Sequence, residues 1–273
     1  MNLWRYKIPY TKPLVLKGKE YTHREGLIVK IQSFGEIAPL PRFSRESLEE
    51  AQVEATQVLQ SQKKPTLPSV LFGITTALRA PSSMPSMPIY GLIWGEDKPL
   101  DEKQEYKVKV SSFSIEEAVD RITTLKKRYP SIKLRIDSNQ KWSLEEALYF
   151  VSHFKKEDFA YLEEPVRSFD ELVQFSQKSG FPVAADESLL TQPIENILSL
   201  PSLEAVIIKP TIYNLTAKVP SRVIYSSSIE TSIGLNAIQA LAHLNGSKEA
   251  LGIDTAHLLN EKEAEVWEVF SAP

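Results

Sequence analysis

Five short apolar runs in the second half of the chain each close on charge. They are Tyr106-Lys107-Val108-Lys109-Val110, Leu134-Arg135-Ile136-Asp137, Tyr161-Leu162-Glu163-Glu164-Pro165, Val183-Ala184-Ala185-Asp186-Glu187 and Val206-Ile207-Ile208-Lys209-Pro210. Their length and β-branched content predict strands. Segments of helical spacing lie between them. Ser114 with Glu117, and Ser143 with Glu146, have the spacing of capping boxes. The first opens a helix with Ile115, Ala118, Val119, Ile122 and Leu125 on one face, and the second opens the next helix. Phe169–Ser179 and Ile194–Leu200 predict two more. Strand ends recur about every 23–28 residues, the rhythm of the strand–helix units of a (β/α)8 barrel. Ile89–Trp94 is the expected first strand of that series.

The first third reads differently. Residues 1–40 are strand-like, with Gly26–Gln32 the clearest β run and Ser33-Phe34-Gly35 a turn. Ser44 is the expected N-cap of a helix reaching Gln60, with Leu48, Ala51, Val53, Ala55 and Leu59 as core contacts. A second helix is expected from Val70 to Ala80. The Pro/Ser/Met run Pro81–Pro88 is the best linker. The expected division is an N-terminal α+β capping domain over 1–88, a barrel over 89–254, and a segment over 255–273 that returns to the cap. After Lys209 only twelve residues, Thr211–Arg222, precede the strand run at Val223. A parallel crossover with a packed helix usually needs a dozen or more. One barrel helix is therefore expected to be shortened or missing. A helix over Thr231–Leu244 and a last short strand at Leu251–Asp254 complete the pattern.

Alternation along a strand decides which side chains share a face. Apolar Val108, Ile136, Leu162, Ala185 and Ile208 belong under the helices. Lys109, Asp137, Glu163, Asp186 and Lys209 then fall on the inner face, at the C-terminal strand ends where barrel enzymes place their chemistry.

Composition narrows the chemistry. A net charge of −3 gives no electrostatic case for nucleic acid or an anionic membrane. No run approaches the roughly 18 apolar residues of a membrane span, and the N-terminus has no apolar signal core. The expectation is a cytoplasmic protein acting on a small molecule. There is no cysteine, and four scattered histidines make no zinc motif. Three inward carboxylates without thiol or imidazole suit a hard, oxygen-loving cation such as Mg²⁺. Flanking lysines suggest proton transfer beside a carboxylate, with the metal as Lewis acid. Lys107, two residues before Lys109 on the same face, either depresses the Lys109 pKa by its charge or serves as an interior ion pair.

Lys-Val-Lys, Arg-Ile-Asp-Ser-Asn, Leu-Glu-Glu-Pro, Ala-Asp-Glu-Ser and Ile-Lys-Pro-Thr together resemble the strand-end motifs of the enolase superfamily, in its muconate-lactonizing-like branch. Arg24-Glu25-Gly26-Leu27, Gly35–Pro41, Pro68–Gly73, Ser226–Ser232 and Gly252–Thr255 extend the resemblance over nearly the whole chain. Within the superfamily the chain is most similar to the o-succinylbenzoate synthase family. The resemblance implies a modified (β/α)7β TIM-type barrel with a capping domain. It also implies Mg²⁺-dependent syn-dehydration of 2-succinyl-6-hydroxy-2,4-cyclohexadiene-1-carboxylate to 2-succinylbenzoate in menaquinone biosynthesis, with Mn²⁺ able to substitute. Superfamily sites of this kind pair a lysine base with magnesium. By the same resemblance Asp137, Glu163 and Asp186 would bind the metal. Lys109 would take the α-proton and assist hydroxyl departure. Lys209 would stabilise the enediolate from the opposite face. Lys107, Arg135, Asn139, Ser226 and Gly252 match positions near substrate or metal. The chain departs from the pattern at Arg42, where the family has glycine. Two other readings stand beside this one. One is a dipeptide epimerase or N-acylamino acid racemase on the same scaffold, although Gly252-Ile253-Asp254 replaces the epimerase Asp-x-Asp. The other is a non-catalytic barrel acting as a binding protein.

Overall fold

A computed structural model describes residues 1–61, 63–79, 86–95, 105–213 and 222–271. The chain divides into two compact units. The first takes Met1–Pro88, Lys209–Lys218 and Tyr225–Pro273; the second takes Ile89–Ile208 and Val219–Ile224.

The first unit is built on an antiparallel sheet in the order β11-β1-β2-β3. Strand β1 (Asn2–Leu16) pairs with β2 (Lys19–Lys30), β2 with β3 (Phe34–Ile37), and β1 also with β11 (Glu265–Ser271). Phe34 and Gly35 thus open a strand, and the bend lies just before them, at 31–33. Helices α1 (Leu48–Ser61) and α2 (Pro68–Arg79) cover this sheet, and Leu3, Leu27, Val29, Ile37, Ala51, Ala55, Val70 and Ile74 share one core. Helix α1 is capped by Ser47, whose hydroxyl accepts from Glu50 N–H while the Glu50 carboxylate accepts from Ser47 N–H. Ser44, the expected cap, instead accepts from Leu40 N–H. The buried face of α1 runs Ala51, Ala55, Val58 and Leu59, so Val53 falls on the far side and is 58% exposed, against expectation. Gly35 on β3 meets Gly73 on α2 with no room for a Cβ at either, which explains both glycines. Arg42 adopts φ +68°, the left-handed region glycine tolerates best, so the departure from the family pattern falls where a side chain costs about 1–2 kcal/mol.

Two buried side chains of this sheet reach the loop before α7 (Ser232–Leu244). Arg24 donates to the carbonyls of Ala38, Pro39 and Ile229. Glu36 accepts from Tyr6 OH (2.5 Å), from Thr231 N–H and hydroxyl, and from Gly234 N–H. It therefore closes the N-terminus of α7, where unpaired N–H groups favour negative charge. Ile229, in that loop, is held at φ +64°.

The second unit carries the strand–helix repeat. Strands β4 (Gly91–Ile93), β5 (Glu105–Lys109), β6 (Lys133–Asp137), β7 (Phe159–Glu163), β8 (Val183–Ala185), β9 (Leu203–Ile208) and β10 (Val223–Tyr225) are hydrogen-bonded neighbours in strict chain order, parallel from β4 to β9. Helices α3 (Ile115–Arg128), α4 (Leu144–Val151), α5 (Phe169–Ser179) and α6 (Ile194–Leu198) connect them. Both predicted capping boxes are present, at Ser114 and Ser143. Val108, Leu134, Ile136, Leu162 and Val183 pack with Ile122, Leu125, Phe150 and Phe175 in one core, which turns the intervening side chains to the other face. Leu251–Asp254, expected as a last strand, is reduced to bridge residues at Leu251 and Gly252: Leu251 N–H donates to Pro88 O (2.8 Å), Gly252 N–H donates to Tyr225 O (2.9 Å), and Ser226 bridges Gly252. The shortened crossover after Lys209 and most of the 81–88 linker fall on residues outside those described.

Candidate active site

Strand register puts two charged rows on the inner face of the second unit, one pleat apart. Lys107, Arg135 and Tyr161 are Cα partners in the lower row; Lys109, Asp137 and Glu163 are partners in the row above, nearer the C-terminal ends. In the lower row the fully buried Arg135 guanidinium pairs with Glu105, donates to Tyr161 OH (3.2 Å) and lies over the Tyr90 ring (3.9 Å). It is an interior ion pair of the sheet rather than a neighbour of Lys109.

Lys107 reaches up from the lower row. Its Nζ lies 2.8 Å from Asp137 Oδ2 and 2.6 Å from Glu163 Oε1, so the ion-pair alternative is the one its geometry displays. Lys109 Nζ lies 2.9 Å from the same Asp137 oxygen and 2.9 Å from Asn139 Oδ1, and 5.2 Å over the Trp94 ring, within cation–π range. Burial lowers the Lys107 pKa, but Asp137 and Glu163 outweigh it and leave it well above the ordinary lysine value. Burial likewise raises Asp137, but Lys107 and then Lys109 hold it below the usual carboxylate range. Lys109 is the more accessible of the two lysines, with a side chain 17% exposed against 6%.

Asn139 ties this row to the next strand end. Its Nδ2 donates to Glu187 Oε1 (2.8 Å), so its Oδ1 is the atom turned to Lys109, and its backbone N–H donates to Asp137 Oδ1 (3.0 Å). Asp186 follows β8 directly and is fully buried. Among the described residues no three His, Asp or Glu side chains converge closely enough to hold a metal ion as they stand. Asp137 and Glu163 share the Lys107 ammonium, which lies against one oxygen of each. The donors there are carboxylate oxygens, with no sulfur or imidazole among them, which is the donor chemistry Mg²⁺ takes.

Lys209, Ser226 and Gly252 belong to the first unit. Lys209 follows the last residue of β9, and its carbonyl accepts from Ile212 and Tyr213 N–H. Ser226 Oγ donates to Gly252 O (3.2 Å). Sequence reasoning missed Glu164, Gln140, Glu187 and Ser188. The Glu-Glu doublet and the hydroxyl of Asp-Glu-Ser were the available signals, but strand alternation assigns Glu164 to the helix side.

The comparisons bear on this geometry. Residues 1–80 match the family model "MenC, N-terminal domain", and residues 101–208 match "Enolase C-terminal domain-like". The o-succinylbenzoate synthase of Enterobacter sp. (strain 638) is 31% identical, over 97% of this chain and 94% of that one. Two solved structures share the fold. The o-succinylbenzoate synthase of Thermosynechococcus elongatus BP-1, solved with magnesium in its active site, aligns with TM-score 0.70 at 20% identity over 94% of each chain. The L-Ala-D/L-Glu epimerase of Bacillus subtilis aligns with TM-score 0.68 at 19% identity, over 94% of this chain and 90% of that one. A modified (β/α)7β barrel with an N-terminal capping domain, with charge at successive strand ends, defines an enzyme of the enolase superfamily. Similarity to the Enterobacter enzyme along nearly the full length of both chains is closer than that, and the chain belongs to the o-succinylbenzoate synthase family.

Proposed function

We propose that the chain is a carbon–oxygen lyase that dehydrates 2-succinyl-6-hydroxy-2,4-cyclohexadiene-1-carboxylate to 2-succinylbenzoate, a step of menaquinone biosynthesis. The observation that carries this reading is the Lys109–Asp137–Glu163 row in a chain alike along its whole length to curated synthases. In the reaction the proton on the carboxylate-bearing carbon and the hydroxyl on the neighbouring carbon leave together as water. A third ring double bond forms, and the ring becomes aromatic.

Asp137, Glu163 and Asp186 would hold Mg²⁺, with Mn²⁺ as a substitute. They are three fully buried carboxylates at the C-terminal ends of consecutive strands, and two of them already share one cation. When bound, the metal supplies Lewis-acid stabilisation of charge developing on the substrate carboxylate. The remaining work belongs to side chains. Lys109, the more accessible lysine of the row, takes the proton and returns it to the departing hydroxyl. Both leave from one face, so one lysine serves both events. Asn139 gives Lys109 a fixed acceptor, with Glu187 setting the orientation of that amide. We assign Lys209 as a cation that stabilises the enediolate from the other face, and Lys107, Ser226 and Gly252 as groups near substrate. A small dicarboxylate is the only partner this requires; no nucleic acid or membrane enters, and we place the protein in the cytoplasm.

The test is to offer the purified protein this cyclohexadiene, N-acylamino acids and dipeptides in parallel with Mg²⁺. Formation of 2-succinylbenzoate, identified by mass spectrometry, is expected. Turnover of the amino-acid substrates with none of the cyclohexadiene would replace the synthase reading with racemase or epimerase activity.

A further inference from the structure

Glu164 stands beside the proposed metal ligand Glu163 but does not face the same way. At φ +41° its backbone leaves the extended strand, a conformation that is strained for a non-glycine residue and persists only where surroundings impose it. Its carboxylate, 1% exposed, collects four donors. Oε1 accepts from Asp186 N–H (2.9 Å) and Ser188 N–H (2.8 Å); Oε2 accepts from Ser188 Oγ (2.9 Å) and Gln140 Nε2 (3.0 Å). Its backbone is used as fully. Glu164 N–H donates to Ala184 O (3.1 Å), and its carbonyl accepts from Gln140 N–H (2.9 Å) and Ser138 Oγ (3.0 Å).

These bonds run to the chain just after β6, through Ser138 and Gln140, and to the chain just after β8, through Asp186 and Ser188. Asp137, Glu163 and Asp186 are the residues at those two strand ends and at the strand between them. A single side chain with its peptide thus spans all three places from which the metal would be held. Asp186 shows the need most plainly. It has left the sheet (φ −130°, ψ −84°) and opens a 3-10 turn over Glu187–Leu190. The Glu164 carboxylate grips the backbone on both sides of Glu187.

We propose that Glu164 is the positioning residue of the metal site, fixing the Asp186 strand end against those of Asp137 and Glu163 and so setting magnesium affinity, without itself touching the ion. This rests on the reading that those three carboxylates bind Mg²⁺. Partners of this kind are typically worth 10–100-fold in metal affinity or activity. Glu164→Gln keeps the size and two acceptor bonds but opposes one amide donor to Gln140 Nε2. It should weaken Mg²⁺ binding about 10-fold or more. Ser188→Ala and Gln140→Ala each remove one donor at Oε2 and should weaken Mg²⁺ binding by about 2–5-fold.

Isothermal titration calorimetry with Mg²⁺ alone, in the absence of substrate, reads this directly. The parent, Glu164→Gln, Ser188→Ala, Gln140→Ala and Asp137→Asn are titrated side by side, and thermal melting of the metal-free proteins reports folding. The expected order of weakening is Asp137→Asn, then Glu164→Gln, then the two alanine variants. Parent-like Mg²⁺ affinity in folded Glu164→Gln overturns the proposal while leaving the metal reading intact. If Glu164→Gln does not fold, parent-like affinity in both Ser188→Ala and Gln140→Ala overturns it. Absence of Mg²⁺ binding by the parent, or its survival in Asp137→Asn, overturns the metal reading and this inference with it.

Discussion

Asp137 and Glu36 are both fully buried carboxylates, one in each unit, and they are satisfied by different chemistry. Asp137 is held by two lysine ammonium groups on flexible stems, and one of these also neutralises Glu163. Glu36 accepts from a tyrosine hydroxyl, a threonine hydroxyl and backbone N–H groups at the start of α7. The second kind of donor is fixed by the fold and cannot be exchanged. The first kind can withdraw when a stronger cation or a substrate carboxylate arrives. The direction of the pKa shifts follows: the lysines hold Asp137 down, while burial and then Glu230 push Glu36 up. The exchangeable arrangement is the one suited to catalysis, and the fixed one to structure.

The sharpest way to break this comparison is to remove one member of each set. Lys109→Ala should lose about 10²–10⁴-fold in turnover or more, the scale of general acid–base work, and should melt near the parent temperature. Lys107→Ala should lose less turnover. Reversal of that order, measured by steady-state kinetics, would contradict the assignment of Lys109 as the proton carrier. Glu36→Ala leaves buried donors on Tyr6, Thr231 and Gly234 unmade, at roughly 1–3 kcal/mol for each such group. A loss on the order of 3 kcal/mol should lower Tm by about 6–12 °C. A melting curve within a degree of the parent would show that Glu36 is not a fixed structural anchor.

Lys209→Arg probes charge against proton transfer. Arginine keeps the cation but stays protonated at neutral pH. Dehydration should fall by about 10-fold and remain measurable, while any racemase side reaction, which needs a second base, should vanish. Loss of both reactions together would make Lys209 a proton carrier.

The smallest effect is in pH. Glu36 has a folded pKa above its unfolded value of about 4.3, so the folded state binds more protons. It therefore costs stability as pH rises from that value through the folded one, and the cost is absent below it. The Tm advantage of the parent over Glu36→Gln should shrink as pH rises above about 4. Asp137 has the opposite sign: its contribution is present above about 3.9 and is lost as pH falls. An advantage that widens with pH would put Glu36 in the same class as Asp137.

The shared row of Lys109, Asp137 and Glu163 was legible in the sequence because period-2 alternation is unambiguous where charge interrupts an apolar strand. Lys109, Asp137 and Glu163 follow from Val108, Ile136 and Leu162 going under the helices, and Ser114 and Ser143 announce their helices by local spacing alone. The structural carboxylate was not legible. Glu36 meets Thr231 across 195 residues and Arg24 meets Ile229 across 205, and no local pattern records such a partner. Glu164 was hidden for another reason: alternation assumes an extended backbone, and its positive φ ends that assumption one residue after Glu163. Leu251–Asp254 has the apolar content of a strand, but its pairing stops at Leu251 and Gly252, because the chain turns at Asp254.

The central claim is that the charged row works as a magnesium site driving dehydration. The direct measurement is the rate of 2-succinylbenzoate formation by one protein sample before chelation, after exhaustive chelation, and after Mg²⁺ is restored. The account predicts full loss on chelation and recovery with Mg²⁺ or Mn²⁺. Undiminished turnover by the metal-free protein would contradict it.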